Sequence, residues 1–176
     1  VAVKRTVLQV LPSENPIWDD PMDKDFDYQA LSAVQVNDPL VLYTSSADGK
    51  FYLARSRDCS GWIPAEDVAI CKDKTEWESA WVIPDDKVLV VYGNKVYTDE
   101  SYTAPETARR MLGQGTRLEL VTDLEPDQLV NNRYPYHNYV VYLPVRDADG
   151  SYVKKMALLP ETAKVSVGFL PLTMEN

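Results

Sequence analysis

The dipeptide Asp48-Gly49 stands between two short apolar runs and constrains this chain more than any other feature. It is the sequence that a tight hairpin turn prefers, because both residues tolerate positive φ. Leu40 and Leu42 precede it, and Phe51 and Leu53 follow it. Gly61-Trp62-Ile63 then predicts a short third strand. Pro64 ends that strand, since proline cannot donate to a ladder. Ala65-Glu66-Asp67 predicts a single helical turn, and Val68-Ala69-Ile70 a last short strand. Residues 39–71 therefore have the layout of a small barrel. Such a barrel is a binding platform, and nothing in the stretch is obviously catalytic.

At 176 residues the chain fits one large domain or two small ones. Its net charge of −9 argues against nucleic acid and anionic lipid as main partners, which need a basic footprint. No apolar run reaches the roughly 18 residues that would suggest a membrane span. The chain opens on Val1-Ala2-Val3, without an initiator Met or a signal peptide, as expected of a trimmed or processed fragment. Its 11 Tyr and 4 Trp suit either a ring-lined binding surface or half-buried strands. Cys59 and Cys71 fit a disulfide of an exported protein or two unpaired, half-buried thiols, the second reading being slightly favoured. Neither suggests a metal, and no cofactor is expected.

Residues 4–11 read as a first strand. Residues 12–25, rich in Pro, Asp and Asn, read as a long irregular loop pinned by Trp18 and forming one wall of a groove. Residues 26–33 fit a strand or a short helical turn but read best as the end of that loop, and 37–39 as a turn. Residues 75–81 predict a helix, with Thr75 as cap, Glu78 completing a capping box, and Trp77 and Trp81 on one face. The two indoles are expected to seal one half against the other; stacking on carbohydrate is the alternative. Residues 88–92 predict a strand, with Gly93-Asn94 turning it back through Val96-Tyr97. A helix is predicted from Pro105 to a stop at Gly113. Residues 116–122, 139–145, 151–157 and 165–170 predict strands. The expected fold is mainly β: two small SH3-like barrels joined by a short helix. The first would span 1–73, the connector 74–82 and the second 83–170, with 171–176 starting a linker.

Two constellations invite sharper readings. Asp58-Cys59-Ser60-Gly61 resembles a cysteine nucleophile motif, and His137 is the chain's one histidine. Such chemistry needs a thiolate with an imidazole in reach, and a helix start helps to form the thiolate. Pro64 would fall inside that helix, so the strand reading is preferred and no catalytic residue is assigned. Asp19, Asp20, Asp23, Asp25 and Asp27 crowd one loop without the spacing or glycine of a calcium loop, so a solvated acidic loop is expected.

Phe26-Asp27, Gln29, Pro39-Leu40, Asp48-Gly49, Tyr52, Ser60-Gly61-Trp62-Ile63 and Glu66-Asp67-Val68-Ala69, in that order, resemble the first bacterial SH3-like domain of NlpC-type cell-wall cysteine peptidases. Leu112-Gly113-Gln114-Gly115-Thr116, followed by Pro144-Val145-Arg146-Asp147 and Asp149-Gly150, resembles their second such domain. The tail from Val167 to Asn176 is similar to the segment that leads into their peptidase domain. The resemblance implies a periplasmic, envelope or secreted protein that is not catalytic alone but belongs to a peptidoglycan hydrolase. Its partners would be a peptidoglycan stem peptide and a cysteine peptidase domain of the same protein. Asp27 matches an acidic position suited to the free amine of the stem peptide. Where relatives carry an aromatic before Gly61-Trp62, this chain has Asp58, Cys59 and Ser60. The expected ligand residues are Asp27, Tyr43, Tyr52, Trp62 and Glu66, rings and charge lining a groove. The alternative is a protein–protein or autoinhibitory module that covers a partner enzyme.

Overall fold

The computed structural model describes residues 1–168. Its strands are β1 (Thr6–Gln9), β2 (Ala30–Val34), β3 (Val41–Ser45), β4 (Phe51–Arg55), β5 (Ser60–Pro64), β6 (Val88–Val91), β7 (Lys95–Tyr97), β8 (Met111–Gly113), β9 (Arg117–Leu120), β10 (Asn138–Arg146), β11 (Tyr152–Pro160) and β12 (Val165–Val167). One α-helix, α1 (Lys74–Trp81), and a 3₁₀ turn (Ala65–Asp67) complete the regular structure. The fold is mainly β, as the sequence predicts.

Strands β2-β1-β5-β4-β3 form one five-stranded sheet and β11-β10-β9-β6-β12 another, while β7 and β8 pair separately. All of these pairings are antiparallel. If the strands of each sheet are lettered a to e along the chain, both sheets follow one circular order. The first ring is open between b and c, and the second between d and e. The two halves thus share a plan that no sequence repeat reveals.

Each ring closes on its own apolar cluster. Leu8, Val34, Leu40, Ala54, Ile63 and Val68 fill the first. Leu89, Val91, Leu112, Leu118, Val141, Leu143 and Leu159 fill the second, together with Val36 from the first half of the chain. Fully burying each Leu contributes about 1.5–3 kcal/mol. The halves are also joined by polar contacts. Asn37, held at φ 71°, donates from Nδ2 to Ala80 O (2.9 Å) and Arg117 O (3.2 Å), tying a first-half turn to α1 and to β9. The Arg110 guanidinium donates to Val3 O (2.5 Å), and Arg146 to Val68 O (2.8 Å).

Several local expectations change. Residues 30–33 belong to strand β2 rather than to the end of the loop. The turn at Asp48-Gly49 is longer than two residues: Ser46 N donates to Phe51 O, and Gly49 sits at φ 73°. Residues 68–70 form single bridges rather than a ladder, and Ile70 pairs in parallel with Ser151 of the other half. Asp73, not Thr75, caps α1: its carboxylate accepts from Glu76 N (2.8 Å), and Glu76 accepts from Lys72 N (2.7 Å). A carboxylate at the N-cap also meets the positive end of the helix dipole, which a hydroxyl cannot match. Gly93-Asn94 is a corner and not a hairpin, because β7 pairs with β8. The helix expected over 105–112 is a turn followed by β8. Thr98 Oγ1 donates to Thr107 O (2.6 Å) and accepts from Arg110 N (2.8 Å), and Arg109 at φ 50° breaks helical continuation. Burial of Val96 and Leu112 in the core favours the strand pair over local helix propensity. Strand β12 ends at Val167 and Gly168 follows it at φ 84°, while residues 169–170 of the expected strand and the linker expected over 171–176 lie outside the described residues.

Candidate functional site

The connection between β1 and β2, residues 10–29, is irregular yet tightly held. Gln29 is fully buried at its root. Its Nε2 donates to Ser13 O (3.2 Å) and Asn15 O (2.6 Å), and its Oε1 accepts from Leu11 N (3.2 Å). Asp27 Oδ1 accepts from both Ile17 N and Gln29 N, each at 2.9 Å. Tyr28 N donates to Ile17 O (2.9 Å), so the two limbs of the loop are zipped together. Gln29 and Asp27 do the pinning that the sequence assigns to Trp18.

Trp18 lies instead at the surface, with Lys24 Nζ 5.1 Å from its ring centre. Phe26 and Tyr28, 65% and 54% exposed, meet edge to face at 5.0 Å on either side of Asp27. Met22, Ile17 and Leu31 are exposed as well. Residues 12–28 carry six carboxylates against one lysine, so the loop combines exposed rings with strong negative potential. Among the described residues no group of three His, Cys, Asp or Glu could hold a metal ion.

The loop joins a transverse row on the sheet. Gln9 pairs with Ala30 on one side and Trp62 on the other; Trp62 pairs with Leu53, and Leu53 with Thr44. Ala30 N donates to Asp27 O (3.1 Å), which anchors Asp27 at the Ala30 end of the row. Gln9 Oε1, between Ala30 and Trp62 in the row, is buried without a hydrogen-bond partner among the described residues. A buried acceptor left over in this way marks a place where a donor would be welcome.

The five expected ligand residues are therefore not all together. Asp27 leads into the Ala30 end of the row, and Trp62 stands two strands further in. Tyr43 is the extra residue of a β-bulge and is 59% exposed beside Thr44. Tyr52 pairs with Ile63 and packs on the first core, so strand alternation places it on the face opposite Trp62. Glu66 is exposed but paired: Lys4 Nζ lies 2.8 Å from its Oε1 and 2.6 Å from Asp67 Oδ1. The Lys4 hydrogen bond holds the Glu66 carboxyl below its usual range. Burial pulls the Lys4 amine down, but its bonds to Asp67 and Glu66 outweigh this and raise it. Sequence reasoning missed Phe26 and Tyr28 as exposed rings, and Gln29 as the staple. The isolated Gln after Asp-Tyr at a strand start is the signal that was there to be used.

Cys59 and Cys71 are both free and half-buried. Burial pushes the Cys71 thiol up. Cys59 ends a turn closed by Ser56, immediately before a strand, and packs on the first core. His137 sits in a left-handed turn before β10 of the second sheet, its side chain 92% exposed and facing Glu161 at 3.5 Å. No helix among the described residues is long and apolar enough to cross a membrane.

Residues 16–64 match the family model of an SH3 domain of the SH3b1 type. That segment contains the loop from Pro16 onward and strands β2 to β5. A solved structure of an NlpC/P60 endopeptidase from Photobacterium damselae subsp. piscicida is similar over 94% of this chain, with a TM-score of 0.66 and 19% sequence identity. The chain spans 32% of that protein's chain. No curated protein matches the sequence significantly. Residues 16–64 are thus similar to an SH3 domain of the SH3b1 type, and the chain as a whole shares the fold of part of that endopeptidase structure.

Proposed function

We propose that the chain is a non-catalytic, cell-wall-associated module that binds a peptidoglycan stem peptide and shapes the substrate cleft of an NlpC-type cysteine peptidase in the same protein. Its modules are residues 1–73 and 83–170, with 74–82 as connector, and it acts outside the cytoplasm. The observation that carries this reading is the stapled loop at the end of the Gln9–Trp62 row. There Asp27 spends Oδ1 on the backbone and keeps Oδ2 for an incoming ammonium group. Trp62 supplies a half-buried ring two strands further along the row, and Gln9 Oε1, between them, an acceptor without a partner among the described residues. Tyr43 and the exposed Phe26 and Tyr28 extend the surface along which the peptide lies. Tyr52 and Glu66 act behind this surface, one in the core and one in the Lys4 ion pair.

A free amine fits a site of this kind because an acid and aromatic faces both favour a cation. Retention on purified peptidoglycan at moderate salt, lost in Asp27→Asn, tests the reading; no retention by the unaltered chain would sink it. The second reading is a module that covers a partner enzyme, and the concentration of exposed Met22, Phe26 and Leu31 on and beside one loop favours it. Capture of the isolated peptidase domain without any binding to peptidoglycan would select it.

A further inference from the structure

The junction of the two halves holds a cavity of about 210 Å³, away from the loop just described. Its walls come from four places: the turn after β2, the turn before β5, the end of α1, and the β8–β9 turn with the start of β9. Four charged side chains line it: Asp38, Arg57, Asp58 and Arg117. Among the described residues the guanidinium of Arg117 and the carboxylate of Asp58 make no hydrogen bond or ion pair with a side chain. Arg57 lies 5.3 Å from the Trp81 ring centre, with no carboxylate on its fork. The Trp81 Nε1 is buried and has no hydrogen-bond partner among the described residues. Asp38 uses one oxygen to accept from Gln35 N (2.7 Å).

In a chain of net charge −9, two arginines that face one cavity and make no close ion pair among the described residues are conspicuous. An exposed arginine is ordinarily indifferent to its neighbours, but a guanidinium on a cavity wall offers a planar fork to a carboxylate. Two aspartates in the same cavity supply the opposite pole. The floor is rigid, because Asn37 bonds to both α1 and β9 at this point. The cavity is smaller than the usual range for drug-sized ligands, about 300–1,000 Å³, so its occupant is small.

We propose that this inter-half cavity is a binding site for a small zwitterion, an α-amino acid or dipeptide, with the carboxylate on Arg57 and Arg117, the ammonium on Asp38 and Asp58, and Trp81 covering one side. The site would make the spacing of the two halves responsive to short peptides or free amino acids. It stands independently of the loop site, which can fail without affecting it.

The test is an NMR titration of the whole chain, read at the Trp81 indole N–H and assigned with Trp81→Phe. The probes are glycine, glycylglycine, glycinamide and N-acetylglycine. Glycine or glycylglycine is expected to shift the Trp81 resonance. Glycinamide, lacking the carboxylate, and N-acetylglycine, lacking the amine, are expected to bind about tenfold or more weakly. Which of glycine and glycylglycine binds tighter separates a free amino acid from a peptide as the occupant. Arg57→Ala and Arg117→Ala, both at exposed positions, should weaken binding by a similar factor with an unchanged thermal midpoint. No shift with either zwitterion, or equal shifts with all four probes, overturns the proposal. The probe comparison on the unaltered chain decides the matter even if a variant fails to fold.

Discussion

Each of the two rings sends a long excursion from its first strand to its second, and the two excursions do opposite things. In the first ring, residues 10–29 stay irregular, expose Trp18, Phe26 and Tyr28, and owe their order to Gln29 and Asp27. In the second ring, the excursion after β6 forms the β7–β8 pair, buries Val96 and Leu112 in the core, and sends Arg110 into the first half. A ring of this plan can spend that connection on display or on cohesion. Display needs polar staples, because a loop without core contacts has only hydrogen bonds to oppose its chain entropy.

The comparison breaks if the second excursion is dispensable. Leu112→Ala should cost about 2–5 kcal/mol by urea denaturation, with ligand retention by the remaining folded protein unchanged. Gln29→Ala should cost less globally, about 2 kcal/mol, because three backbone groups lose their partner in a buried place. It should nevertheless abolish retention on peptidoglycan, since the loop is no longer held in shape. If Gln29→Ala binds normally, the loop does not need its staple and the contrast between the two excursions is void. Asn37 sharpens the comparison from the junction. Asn37→Ala loses two hydrogen bonds and the local polar group that helps asparagine tolerate left-handed backbone, at about 1–2 kcal/mol, whereas Asn37→Gly loses the same bonds but relieves the β-carbon and should lose less. Thermal unfolding of the two variants separates the parts. The smallest effect is at Tyr152, where burial first, then nearby Cys71, Glu76 and Glu119, push the phenol up to about 12. A phenol raised in the folded state costs nothing below the ordinary tyrosine range near 10. Its stabilising share is lost as pH climbs from there towards about 12. Ultraviolet titration should show one tyrosine ionising later than its exposed counterparts, with no change at neutral pH.

Much of the first ring was legible because its signals are local. Asp48-Gly49, Gly61-Trp62-Ile63 and Pro64 each dictate backbone geometry within a few residues, and the strands fall where they point. The second ring was legible as β but not in its pairing. Gly93-Asn94 looks the same whether it closes a hairpin or turns a corner, and only the long-range burial of Leu112 decides between them. The segment 105–112 has helical residues, and tertiary packing overrides them. At the site, Asp27 was visible as an acid in a motif. Its backbone bonds to Ile17 and Gln29 join residues up to ten positions apart, which periodicity does not report. The opposite faces of Tyr52 and Trp62 follow from register, and a strand prediction without a partner does not fix register.

The most direct test of the loop as the recognising surface is an amide NMR titration with an L-alanyl-γ-D-glutamyl-L-lysine tripeptide. Shifts should gather at residues 16–28 and around Trp62 and Tyr43, and Asp27→Asn, which keeps the accepting oxygen but loses the charge, should weaken them about tenfold. Shifts confined to the second ring, or unchanged affinity in Asp27→Asn, would contradict it.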